Sequence, residues 1–373
     1  MDFYSILFTM LSPKIKRDFL RVIPVGVIWL IFSLVYTLLE KGILGRLNYY
    51  PSTGNPYNFT RSIFITPLSA LFTGLVIGTL EIRYFNKLFR QKSFSKKILY
   101  KSIIYLAIIV TFLLIISAVA NATDLRTAIF NKQVWDNVWT FVFDYAFLSV
   151  IFYMTAIIIV SQFYSEISEN IGQGVLANFF TGKYHTPTEE ERIYMFLDMK
   201  SSTAVAESLG HVRYFEMLKE YYEDLSAPII QYSGEIYQYV GDEMVVTWTL
   251  SNGLRANNCV QCFYSMKAAL QKQTGRYMQQ FGLLPAFKAG FHYGKVTTGE
   301  IGVIKKDIIF TGDVLNTTAR IQGLCNLYEV DILISGDLTR KLDLPAQFQV
   351  RSLGEKELKG RAEKIELFTI LTH

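Results

Sequence analysis

The chain has 373 residues, of which 51% are hydrophobic and 18% charged, and it carries a net charge of +5. That length allows two or three domains, and three cysteines exclude a disulfide framework. The excess Lys and Arg crowd beside long apolar runs, which favours lipid headgroups over nucleic acid as their partner.

Four stretches in the first half, 22–39, 63–80, 103–120 and 141–163, match the run of about 20 mainly apolar residues that a hydrocarbon core requires. They predict an all-α four-helix membrane domain over 1–163. The first lacks a small-residue cleavage site and three more follow it, so it reads as an anchor rather than a cleaved signal. Lys14, Lys16, Arg17 and Arg21 precede the first span. Arg83, Lys87, Arg90, Lys92, Lys96, Lys97 and Lys101 lie between the second and third, and the other two loops are poor in Lys and Arg. The positive-inside rule and the even span count both place the termini on the cytoplasmic side of an inner membrane. Asp144 falls about one turn inside the fourth span, where a carboxylate is a functional candidate unless it reaches interfacial water.

Residues 164–189 read as a helical linker. Ile167, Ile171, Val175 and Phe179 recur every four residues, while Gly172 and Gly174 weaken the segment as an isolated helix. It either packs on its own domain or pairs with a second copy across a dimer axis. Gly182, Pro187 and the acidic run 189–191 mark a boundary, with a cytosolic domain over 190–373.

A short apolar strand at 193–197 ends at Asp198, followed by Ser201, Ser202 and Thr203 and by amphipathic helix to about Ile230. Strands at 234–238 and 243–248 flank Gly241-Asp242, a hairpin signal. Cys259 and Cys262 lie one turn apart on a helix over 258–271 with no second Cys pair or His cluster, which favours small apolar side chains over a metal or redox pair. Strands at 286–292 and 307–311 and a helix at 314–325 follow. This order argues an α/β or α+β sandwich built on one sheet. Two carboxylates at adjacent strand ends, Asp198 and Asp242, can converge on a hard cation such as Mg²⁺. The N–H groups opening the helix at Ser201, Ser202 and Thr203 attract phosphate oxygens. The plainer alternative has a serine capping that helix and Asp242 filling a turn.

Five ordered motifs extend this pattern. They are Phe196-Leu197-Asp198 with Ser202-Thr203; Gly241-Asp242-Glu243; Gly290-Phe291-His292-Tyr293-Gly294-Lys295-Val296, continuing through Gly299, Ile301 and Gly302; Gly312-Asp313-Val314-Leu315-Asn316 with Arg320; and Leu358-Lys359-Gly360. Over about 190–370 the sequence resembles the class III adenylate and guanylate cyclases. The resemblance implies a ferredoxin-like catalytic domain in which the 3′-hydroxyl of a nucleoside triphosphate, ATP first, attacks its own α-phosphorus and expels pyrophosphate. It implies that Asp198 and Asp242 hold two Mg²⁺ or Mn²⁺ ions, and that Asn316 and Arg320 orient the ribose and stabilise the transition state. Lys359 would bind the terminal phosphates, with Lys364 or Lys356 if the register slips. It also implies a homodimer, with metals from one chain and the Asn–Arg pair from the other.

The base-reading positions depart from the family. Gln238 stands where adenylate cyclases place Lys, and Ile309, which cannot hydrogen-bond, stands where they place Asp or Thr. A shifted register would bring Thr311 or Lys306 into play. GTP or a pyrimidine triphosphate is therefore an alternative substrate, and a non-catalytic nucleotide-binding membrane receptor an alternative function. A diguanylate cyclase fits less well, because Val240 replaces a glycine of its signature. A transporter lacks the expected inverted repeat.

Overall fold

In a computed structural model, residues 12–51, 56–90, 92–171, 173–358 and 363–372 are described. The chain divides into two compact units, Ile15–Ala177 and Asn178–His373.

The first unit is helical. Helices α1 (Pro13–Leu44), α2 (Phe59–Leu80), α3 (Phe94–Asp124) and α5 (Tyr145–Ile171) are joined by short connections, with α4 (Lys132–Val142) preceding α5. Four helices, one running on from α2 to Leu88, are long and apolar enough to cross a membrane. Their outward faces are apolar, as Phe64, Phe72, Phe112 and Phe152 show, which suits lipid as the surrounding solvent. Gly74 lets α2 approach α1 closely, since a Cβ there would lie 2.8 Å from Trp29. The fourth expected span begins later than 141, because Asp144 Oδ1 accepts a hydrogen bond from Ala146 N at 2.6 Å and so caps the start of α5.

A buried charge network crosses this unit. After α2 the chain forms a π-helical turn, Glu81–Phe85. Lys101 of α3, fully buried, donates to Glu81 Oε1, to Asn86 Oδ1 at 2.9 Å and to Glu166 Oε1 of α5 at 2.6 Å. Tyr105 OH donates to Glu81 Oε2 at 2.9 Å, and Lys97 Nζ lies 3.3 Å from Glu166 Oε2.

Helix α6 (Gln173–Thr181) spans the boundary into the second unit, an α+β sandwich around one mixed sheet. Its strands are β1 (Thr188–Met199), β2 (Glu235–Val240), β3 (Glu243–Thr249), β4 (Phe287–Ile301), β5 (Asp307–Thr311), β6 (Ile332–Ser335), β7 (Phe348–Lys356) and β8 (Ile365–Thr372). The order is β2-β3-β1-β4-β6-β8-β7, with β5 paired to β4. Strand β1 runs well beyond the expected 193–197. Its acidic start is ordered by antiparallel pairing with β4, where Glu191 faces Lys295. Alternation along β1 divides the core. Ile193, Met195, Leu197 and Met199 join the larger cluster with Tyr221 and Phe263, while Tyr194 and Phe196 pack with Val314 and Ala319.

The longer helices of this unit are α7 (Ser202–Leu209), α8 (His211–Gln231), α9 (Asn258–Lys272), α10 (Thr274–Phe281) and α11 (Asp313–Gly323). Cys259 and Cys262 are fully buried on α9, and burial pushes the Cys259 thiol up to about 12, so the pair is core packing. Gly290 is required for close contact, because a Cβ there would lie 2.4 Å from Gln322 N. That absence of a side chain lets α11 lie directly on β4.

Candidate active site

Asp198 lies near the end of β1 on the face that carries Tyr194 and Phe196, opposite Lys288 of β4. Lys288 Nζ is 3.4 Å from Asp198 Oδ2, and Gln322 Nε2 of α11 donates to the same oxygen at 3.2 Å. Asp242 sits in the two-residue turn between β2 and β3. Gly241 supplies its positive φ of 63°, and Tyr222 OH pins the turn by donating to Gly241 O at 2.9 Å. Burial and the neighbouring Asp242 carboxylate raise the Asp198 carboxyl above the usual aspartate range. Glu243 is raised likewise, by burial and then by both aspartates.

Asp242 Oδ2 is buried and has no hydrogen-bond partner among the described residues. An orphaned carboxylate oxygen beside a second carboxylate fits a divalent cation. No cluster of three or more His, Cys, Asp or Glu side chains that could hold a metal occurs among the described residues. An oxygen donor set of two carboxylates, completed by substrate phosphates and water, is the pattern Mg²⁺ prefers.

Ser201 has a left-handed φ of 55° and its side chain makes no cap to α7, so the first N–H groups of that helix are not consumed by a serine cap. Ser202 and Thr203 follow in its first turn. Burial, and then the Asp242 charge, raise the Tyr214 hydroxyl above its usual value.

Asn316 and Arg320 lie four residues apart on α11, and Arg320 Nη1 is buried without a partner among the described residues. Asn316 lines a cavity of about 440 Å³ together with Phe196, Tyr237, Gln238, Phe310, Thr311, Gly312, Leu315 and Ala319. Ile309 is outside this lining, and so is Lys306, whose Nζ is 3.9 Å from Glu300. Thr311, whose Oγ1 donates to Thr297 O at 3.3 Å, and Gln238 both line it. Neither Asp198 nor Asp242 lines the cavity. Lys359 lies outside the described residues. Lys364 pairs with Glu357 at 3.6 Å, and Lys356 Nζ lies 5.6 Å from the Tyr328 ring centroid.

Sequence reasoning overlooked Lys288, Gln322 and Tyr214. The β1–β4 register places Lys288 across from Asp198, a signal readable only once those two strands are paired. His292 of the third motif is structural: it is buried with Nδ1 2.8 Å from Ser335 Oγ.

Residues 185–372 match the family model described as the adenylate and guanylate cyclase catalytic domain. Adenylate cyclase 2 of Rhizobium meliloti (strain 1021) is 35% identical over 208 residues, 56% of this chain and 57% of that protein. Adenylate cyclase of Anabaena cylindrica is 27% identical over 182 residues, 47% of this chain and 36% of that protein. The chain thus spans little more than half the length of the first relative and about a third of the second. Among solved structures, the adenylyl cyclase CyaB from P. aeruginosa aligns with 50% of this chain and 97% of its own, at 18% identity and a TM-score of 0.43. With its family model matched along half of its length, the chain belongs to the family of the adenylate and guanylate cyclase catalytic domain.

Proposed function

We propose that the chain is a membrane-anchored cyclase that converts ATP to 3′,5′-cyclic AMP and pyrophosphate at sites shared between two copies, with its catalytic domain in the cytoplasm. One observation carries this reading. The carboxylate pair Asp198/Asp242 lies outside the lining of the cavity that holds Gln238, Thr311 and Asn316, and each set is half of what the reaction needs. A two-fold pair of identical chains would bring unlike halves together twice.

In the reaction the 3′-oxygen forms a bond to the α-phosphorus, the bond from that phosphorus to the bridging oxygen breaks, pyrophosphate takes the electron pair, and the hydroxyl proton passes to water. Asp198 and Asp242 would hold Mg²⁺ or Mn²⁺, which supplies acidification of the hydroxyl and charge for the leaving group. Asn316 orients the ribose from α11. Arg320, one turn on, offers its unpartnered Nη1 to charge spread over the phosphoryl oxygens. Lys288, already beside Asp198, provides a cation for phosphate oxygens, and the open N–H groups of α7 provide neutral donors. Gln238 and Thr311 together donate and accept, which suits the edge of adenine.

The test is direct. The full chain in membranes receives each of the four nucleoside triphosphates with Mg²⁺ or Mn²⁺, and products are identified by mass. Cyclic AMP from ATP, with turnover dependent on the cation, is expected. Cyclic GMP or a cyclic pyrimidine nucleotide as the main product would overturn the base assignment, and no cyclic product from any substrate would leave a nucleotide-binding receptor.

A further inference from the structure

Arg192 occupies the same face of β1 as Tyr194 and Phe196, six residues before Asp198, and is 3% exposed. Nothing in the packing of that face calls for a charge, and a buried guanidinium is costly unless it is fully paired. Here it is paired on both sides. Arg192 Nε donates to Glu190 Oε2 at 2.7 Å and Nη1 to Glu235 Oε2 at 3.0 Å. Its flat face lies over Phe310, with Cζ 4.7 Å from the ring centroid. The Phe310 ring also meets Tyr194 at 6.0 Å and Tyr237 at 4.9 Å, both edge-on, and Phe310 N donates to Tyr237 OH at 3.3 Å. Phe310 and Tyr237 are walls of the cavity that holds Gln238 and Thr311.

The carboxylate that fixes Arg192 has a second partner. Tyr184, 2% exposed, donates its OH to Glu190 Oε1 at 2.8 Å. Its carbonyl accepts from Glu300 N at 3.0 Å, on the strand that pairs with β5. Tyr184 stands just after α6, where the chain enters the sheet. An unbroken series of contacts therefore runs from the entry segment through Glu190 and Arg192 to the wall at Phe310.

We propose that Arg192 is a positioning residue for nucleotide selection. Its guanidinium, fixed by Glu190 and Glu235, holds Phe310 as the wall against which the base lies, and Tyr184 makes that hold depend on the segment by which the chain enters the domain. The inference rests on the cyclase reading above. A planar fork can pair with two carboxylates and stack on a ring at once, which an ammonium cannot. Lysine should thus preserve the charge balance and lose the wall.

The full chain is assayed as wild type, Arg192→Met, Arg192→Lys and Tyr184→Phe, with kcat and KM for all four triphosphates and the thermal midpoint of each protein. Arg192→Met is expected to raise KM for the preferred nucleotide by about five- to thirtyfold, the size of a desolvated cation–π contact, and to narrow selectivity, with kcat changing less. Arg192→Lys should recover the thermal midpoint but not the selectivity. Tyr184→Phe should move KM in the same direction by about twofold, the weight of one hydrogen bond at the low end of its range. Wild-type KM and selectivity in Arg192→Met would overturn the inference, as would a fall in kcat uniform across nucleotides. If Arg192→Met fails to fold, Arg192→Lys with a normal midpoint and unchanged selectivity overturns it equally. A wild-type chain that makes no cyclic nucleotide removes the cyclase reading itself, a result distinct from an active wild type with indifferent variants.

Discussion

Asp198 shows how a single residue can be costly to the fold and, under the proposed function, required for the reaction. Its folded-state carboxyl is raised by burial and by Asp242, so the folded chain holds that proton more tightly than the unfolded chain does. Stability from this group is full below the unfolded aspartate value, about 3.9, and is lost as pH rises through the raised folded value. Asp198→Asn should therefore be inactive yet more stable at pH 7 when divalent ions are chelated. The gain should appear as a raised midpoint at pH 7 that vanishes below about pH 4; a lower midpoint at pH 7 would contradict this. Arg320 is the opposite case, with a buried Nη1 that nothing in the described chain uses. Arg320→Ala should cut turnover by about 10²–10³, the usual effect of removing one transition-state donor, with KM changed far less. An effect confined to KM would mean that Arg320 serves only substrate binding.

Among the elements, the network on Lys101 joins the π-helical turn after α2 to α3 and α5. Removing one member of a buried ion cluster strands the others, at about 3–5 kcal/mol. Lys101→Met should lower the thermal midpoint of the detergent-solubilised chain. Adding Glu81→Gln and Glu166→Gln should recover most of that loss, because uncharged groups cost less to bury. A triple variant as unstable as the single one would argue that the cluster acts by packing alone. This network could not be read from sequence, since its partners stand 20 and 65 residues apart and long-range pairing leaves no periodic trace. Composition did reveal the four apolar helices, because a bilayer imposes length and hydropathy together. Asp198, Asp242, Asn316 and Arg320 were legible as motifs, and the mixed sheet as an order of elements. Strand β6, only four residues long, gives too little alternation to be recognised. The pairing of β4 with β5 puts Thr297 opposite Thr311, and Thr311, with no register readable from sequence, could only be one alternative to Ile309.

For the whole molecule the decisive test is complementation. Asp198→Ala and Arg320→Ala should each be inactive alone. Co-expressed, they should form about half heterodimers, each with one doubly defective site and one intact site, so activity should approach a quarter of wild type. Heterodimers shown to be present without activity would refute the shared site. Under the proposed shared site, with Asp198 and Asp242 outside the lining of the cavity at Asn316, confinement of the chain to a bilayer by its four apolar helices has a quantitative consequence. Encounters then occur in two dimensions, and the relevant concentration is the number of chains per unit area. At low areal density output should rise with the square of expression, becoming linear once pairing saturates. Membrane expansion at constant copy number would dim the signal with no ligand bound and no residue altered.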